Sequence, residues 1–152
     1  MKAPVCVFLD TNVYIIGAAD PESPEREILR WAGFGQNAPG PVEVILSDVL
    51  IKQILRVAKR LLGKDWGGQL IGRIWRDMWL RYVLLDAEEC VRLETAAEIP
   101  REDIEIYLTA RTGEAECFVS SNHVLIGALA KKTSEMECLT PEKFVAKYLH
   151  SG

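Results

Sequence analysis

The start of the chain constrains it most. Val5-Cys6-Val7-Phe8-Leu9 is an unbroken apolar run that stops on Asp10-Thr11-Asn12, a carboxylate, a hydroxyl and an amide in succession. The run reads as a buried strand. Asp, Thr and Asn are favoured helix caps, so a helix opens at Thr11 or Asn12. In open α/β sheets, ligands bind beyond the carboxyl ends of the strands. Asp10 is therefore the first candidate for chemistry.

Downstream, strand and helix signals alternate. Ser23-Pro24 opens a helix through Ile28, Leu29 and Trp31-Ala32 that ends at Gly33 and Gly35. A turn-rich link, Asn37 to Pro41, leads to a second strand, Val42 to Leu46. Ser47-Asp48 then caps a long helix to Leu62. After Gly63 the helical spacing of Leu70, Ile71, Ile74, Trp75, Met78, Trp79 and Tyr82 predicts a helix within Asp65 to Arg81, followed by a third strand, Tyr82 to Leu85.

Asp86 to Ala97 reads as helix, Ile99-Pro100 as a break, and Arg101 to Thr112 as a helix ended by Gly113. Cys117 to Val119 is the fourth strand and Asn122 to Lys131 a short helix. Glu137 to Leu139 is the fifth strand, with a last helix from a partial cap at Thr140-Pro141-Glu142 to Leu149. This alternation, without hairpin signals, predicts an α/β fold: a central parallel sheet of about five strands with helices on both faces. A chain of 152 residues with no linker or repeat is read as one domain, 1–152.

Net charge −4 excludes a globally basic nucleic-acid binder but leaves room for a local basic stripe. The four cysteines form no CxxC pair. Cys6 and Cys117 fall inside strands, as small hydrophobes of a reducing, cytoplasmic setting. No leader and no long apolar run is evident, so no membrane is expected.

In a parallel sheet the residues that follow each strand share one edge. Asp10 and Asn12 meet Ser47 and Asp48 there, with Ser120, Ser121 and Asn122 after the fourth strand, and Asp103 opens a helix. Oxygen donors of this kind suit a hard cation. On the helix after Ser47, residues Lys52, Arg56, Lys59 and Arg60 share a face, while Leu50, Ile54, Val57, Ala58 and Leu61 form another. Gln53 lies between the two. Such a stripe can follow a phosphate backbone, with salt-dependent affinity; the plainer reading is a solvated helix face. Trp66, Trp75 and Trp79 are read as core or subunit interface ahead of base stacking. His123 and His150 have no triad partner and are placed on the surface.

Five pieces recur in order: Phe8-Leu9-Asp10-Thr11-Asn12; Leu46-Ser47 before a helix; Asp103 with Ala110; Glu116-Cys117-Phe118-Val119-Ser120-Ser121-Asn122; and Leu139-Thr140-Pro141-Glu142-Lys143-Phe144. In them the chain resembles the PIN-domain family of metal-dependent ribonucleases, which includes VapC-type toxins. The resemblance spans nearly the whole length and implies a single PIN-like domain. The four acidic positions of that family fall on Asp10, Gln53, Asp103 and Asn122, so two carboxylates have become amides.

An amide oxygen can ligate or orient water, but it offsets no positive charge. Two carboxylates against two divalent ions disfavour a two-metal site, whereas one Mg²⁺ needs only about one or two carboxylates with waters. Asp48, Glu102 and Glu105 are neighbouring acids that would compensate.

The resemblance implies an endoribonuclease in which Asp10, Asp103 and Asn122 hold Mg²⁺ or Mn²⁺. Gln53 and Asn122 join the catalytic set, and Ser47, Lys52, Arg56 and Arg60 contact RNA. It further implies a toxin with an antitoxin partner, acting as a homodimer. The alternative is a catalytically weakened module that binds RNA or a protein. A small phosphoryl-transfer domain ranks last, because no GxxxxGK[ST] loop is present.

Overall fold

The structure, a computed structural model, describes residues 2–96 and 103–150. Its strands are β1 (Cys6–Leu9), β2 (Glu43–Ser47), β3 (Trp79–Val83), β4 (Cys117–Val119) and β5 (Glu137–Leu139). All pair in parallel, in the order β3-β2-β1-β4-β5. The helices are α1 (Thr11–Ala19), α2 (Pro24–Trp31), α3 (Asp48–Leu62), α4 (Lys64–Asp77), α5 (Ala87–Ala96), α6 (Ile104–Thr112), α7 (His123–Lys132) and α8 (Pro141–Phe144). The expected single α/β domain with a five-stranded parallel sheet is what the chain forms.

The strand order explains the apolar opening. β1 is central, paired with β2 on one side and β4 on the other, and all four of its residues are buried. A strand covered on both faces has no solvent side to alternate with, so it reads as continuous apolar sequence. Phe8 and Phe118 face each other in register and stack with ring centroids 4.8 Å apart. From β1 the chain walks outward through β2 to β3, then returns to β4 and β5 beyond β1. Right-handed crossovers put the two directions of travel on opposite faces. α1 accordingly packs on α2 and α3, and α3 on α4, while α5 packs on α6.

Two predicted boundaries are corrected. α4 stops at Asp77, and β3 runs over Trp79–Val83 instead of Tyr82 to Leu85. The helical spacing of Met78, Trp79 and Tyr82 continues past the helix end, but a ladder of five register pairs with β2 decides the conformation. Long-range pairing overrides a local period when the residues are aromatic and β-branched. Arg81 locks the register by donating to both carboxylate oxygens of Glu43, at 3.1 and 2.8 Å. The buried Asp77 carboxylate accepts from Gly35 N at 2.8 Å and from Arg76, which holds it below the usual carboxylate range.

The last helix is also shorter than expected. α8 ends at Phe144 and gives way to a wider π-type turn over Val145–Leu149, with His150 N bonded to Val145 O at 2.9 Å. Ala97, the Ile99-Pro100 break and Arg101-Glu102 lie outside the described residues. Cys6 and Cys117 are buried. Among the described residues no helix is long and apolar enough to cross a membrane. His123 and His150 are exposed, as expected, and His150 lies against Glu27.

α6 runs against the strands. Gly113, just past its end, accepts from Arg81 at 2.7 Å and sits so close to β2 that a Cβ there would fall 2.6–2.8 Å from three side-chain atoms of Ile45. Gly113→Ala is expected to cost about 1–3 kcal/mol by overpacking. Urea denaturation measures this, and an unchanged midpoint would contradict the close seating of α6.

Candidate functional site

Asp10 leaves the carboxyl end of β1 and caps α1. Its Oδ1 accepts from Thr11 N at 2.8 Å, and its Oδ2 accepts from Ser120 Oγ at 2.8 Å. Ser120 directly follows β4, is fully buried, and also accepts from Asn122 N at 3.1 Å. β1 and β4 are the two strands from which the chain departs in opposite directions, so the Asp10–Ser120 bond sits on the topological switch point, where open α/β sheets bind ligands. Asp10 is 8% exposed, and burial pushes its carboxyl pKa up, with the bonds from Ser120 and Thr11 opposing.

α3 joins this centre to β2. Gln53 Oε1 accepts from Thr11 Oγ1, tying the second turn of α3 to the first residue of α1. Ser47 caps α3 by accepting from Leu50 N at 3.3 Å. Thr109 Oγ1 donates to Glu105 O at 2.8 Å, which leaves Ser47 as donor in the 2.8 Å contact between their hydroxyls. Ser47 is therefore buried between α3 and α6, and its hydroxyl is engaged on both sides.

These contacts also fix where Asp103 lies. Gly113 is level with Ile45, within β2, and Thr109 is level with Ser47, the last residue of that strand. Asp103 is six residues further along α6, roughly 9 Å of helix rise, and so stands at the carboxyl edge, half-buried. Asn122 is at the same edge as the cap of α7, its Oδ1 accepting from Leu125 N at 3.1 Å. Lys52, Arg56 and Arg60 are exposed along α3, with Lys52 in an ion pair with Asp48 at 3.6 Å.

The edge thus gathers Asp10, Asp103, Ser47, Gln53 and Asn122, while the three cations lead away from it along α3. The amide oxygens at positions 53 and 122 are both occupied by protein hydrogen bonds. α1, α3, α6 and α7 also open at this edge, and helix N-termini favour negative charge and phosphate.

Two residues of this network were not foreseen from the sequence. Ser120 was placed at this edge, a hydroxyl directly after an apolar strand, but its bond to Asp10 was not foreseen. Thr109 had no usable signal, because a threonine inside a helix announces no partner 62 positions away. Glu25 is buried in the first turn of α2 and accepts from Ser121 Oγ at 3.0 Å, but Ser-Pro-Glu reads only as a helix start.

As to metal, among the described residues no group of three or more His, Cys, Asp or Glu is placed to hold an ion. The carboxylates at this edge, Asp10 and Asp103, match in number the needs of a single hard cation that keeps several waters. They do not match a pair.

No family model matches the chain, and no curated protein does. Solved structures do. VapBC2 from Rickettsia felis, bound to a promoter DNA fragment, superposes with a TM-score of 0.60 at 14% identity, over 90% of this chain and 98% of that one. VapBC-1 from nontypeable Haemophilus influenzae gives 0.59 at 13%, over 91% and 99%. A toxin–antitoxin complex from Klebsiella pneumoniae gives 0.58 at 15%, over 89% and 97%.

The fold is PIN-like. Coverage of nearly all of both chains means that the PIN-like topology, and not a shared fragment, is what they have in common. Identity this low carries the fold alone.

Burial of Asp10 has a measurable consequence. A carboxyl whose pKa is raised on folding makes the folded state less stable as pH climbs through that raised value. Asp10→Asn removes the charge and keeps one acceptor oxygen for Thr11 N, while its amide N–H faces Ser120 Oγ, which becomes the acceptor. It is expected to stabilise the metal-free protein by about 1 kcal/mol at pH 7, a gain that fades as pH falls toward the ordinary carboxyl value of 3.8. Urea denaturation at pH 7 and pH 4 tests this; equal or lower stability of the variant at pH 7 would refute a desolvated charge.

Proposed function

We propose that this chain is a PIN-type endoribonuclease that hydrolyses RNA with Mg²⁺ or Mn²⁺, the toxin half of a toxin–antitoxin pair. The observation that carries the reading is the buried Asp10 carboxylate on the switch point, held by Ser120 and by the start of α1. Asp10 and Asp103 would hold the cation, with Asn122 beside them. When bound, the cation polarises a phosphodiester and makes water a better nucleophile. Water then adds at phosphorus and one P–O bond breaks, leaving a phosphomonoester and a hydroxyl.

The chain's own residues supply the rest. The helix N-termini at the edge stabilise the anionic phosphate. Gln53 and Asn122 orient groups at the rim, Ser47 keeps α3 and α6 in register, and Lys52, Arg56 and Arg60 draw in the RNA backbone. The three solved neighbours come from VapBC or toxin–antitoxin structures, which supports an antitoxin as partner.

One observation favours a second reading, a weakened module that binds RNA or protein without cutting. Both amides that stand where acids are expected have their oxygens committed to structural bonds.

Cleavage of a labelled single-stranded RNA decides between them. Under the first reading it requires added Mg²⁺ or Mn²⁺, stops with chelator, and falls about a hundredfold or more in Asp10→Asn and in Asp103→Asn. No cleavage by the wild type, or cleavage that survives both substitutions, rules that reading out.

A further inference from the structure

Beside the cationic row of α3 lies a pair of aromatic rings left in solvent. Trp75 on α4 and Tyr82 on β3 are 49% and 42% exposed, with ring centroids 6.0 Å apart and planes inclined by 28°. The Tyr82 hydroxyl donates to Asp48 Oδ1 at 3.0 Å, and Asp48 in turn pairs with Lys52. Two contacts therefore join the rings to the first cation of the row. Tyr82 is in register with Leu46, the residue before Ser47, so the pair stands at the same carboxyl edge as Asp10. β3 is two strands from β1, about 10 Å across the sheet.

Charge indicates what this surface fits. Residues 48–77 carry seven Lys and Arg against three Asp, in a chain of net charge −4. Asp77 is buried against Arg76 and Gly35, and Asp48 is engaged by Tyr82 and Lys52. Arg56, Lys59 and Arg60 are exposed, and among the described residues none of them forms an ion pair. A two-fold contact between copies through this face would set the surplus against itself. A polyanion with unstacked bases matches both halves of the surface, with phosphates for the row and ring faces for Trp75 and Tyr82.

We propose that Trp75 and Tyr82 form a base-stacking platform for single-stranded RNA, whose phosphates follow Lys52 and Arg56. A strand held there is delivered along the carboxyl edge toward Asp10. The platform deepens the ribonuclease reading, on which it rests for the identity of the polymer. A duplex, whose base faces are hidden, is not its ligand.

The test is fluorescence anisotropy with a labelled 12-nucleotide oligouridine, in EDTA so that binding is read without cleavage. Trp75→Leu and Tyr82→Leu, checked for folding by circular dichroism, should each raise Kd about tenfold, within the range of one base–aromatic stack. They should leave the salt dependence unchanged. Lys52→Gln and Arg56→Gln should each lower the slope of log K against log salt by about 0.7. A duplex of the same length should compete poorly.

Wild-type affinity in both aromatic variants overturns the proposal, as does polyglutamate competing as well as the RNA. So does a wild-type dimer that Trp75→Leu converts to monomer on sedimentation, which would give the rings to a second copy. The cleavage assay fails independently: intact oligouridine binding without metal-dependent cutting refutes the nuclease reading and leaves the platform standing.

Discussion

A hydrogen bond from Ser120 to Asp10 ties β4 to β1 where the chain reverses its direction of travel across the sheet, and the rest of the carboxyl edge is arranged about it. The bond places a carboxylate in a nearly dry position. Ser120, the Thr11 amide and the start of α1 all favour the charged form, yet burial outweighs them and the pKa rises. The edge therefore holds a negative charge that its surroundings under-compensate. A group in that condition is relieved by an incoming positive partner, a tendency structural carboxylates such as Asp77 lack because Arg76 already neutralises them.

Connections radiate from this bond through hydroxyls and amides more than through ion pairs. Thr11 reaches Gln53 on α3, Ser47 at the head of α3 reaches Thr109 on α6, and Ser121 reaches Glu25 on α2. Each link spans elements from different parts of the chain and ties a helix start to a distant segment. Helix starts carry partial positive charge, and those of α1, α3 and α7 lie along this edge.

Much of this was legible beforehand because strong local signals coincided with the final contacts. Apolar runs announced β1, β2 and β4, and capping residues announced the starts of α2, α3 and α7. Asp10 was visible because a carboxylate ending a buried strand is unusual. Trp79 and Tyr82 misled, since their spacing fits a helix while their partners lie 36 positions away on β2, at Glu43 and Leu46. The roles of Ser120, Thr109 and Glu25 depend on neighbours 110, 62 and 96 positions distant, and no window of sequence contains such pairs.

The 110-residue separation between Ser120 and Asp10 also orders events during synthesis. β1 is made first and β4 only in the last third of the chain, so a nascent polypeptide that already displays Asp10, α3 and its cations has no assembled switch point. Parallel pairing over so long a span is entropically slow and comes late. The carboxyl edge of a growing chain is therefore incomplete until β4 arrives to pair with β1.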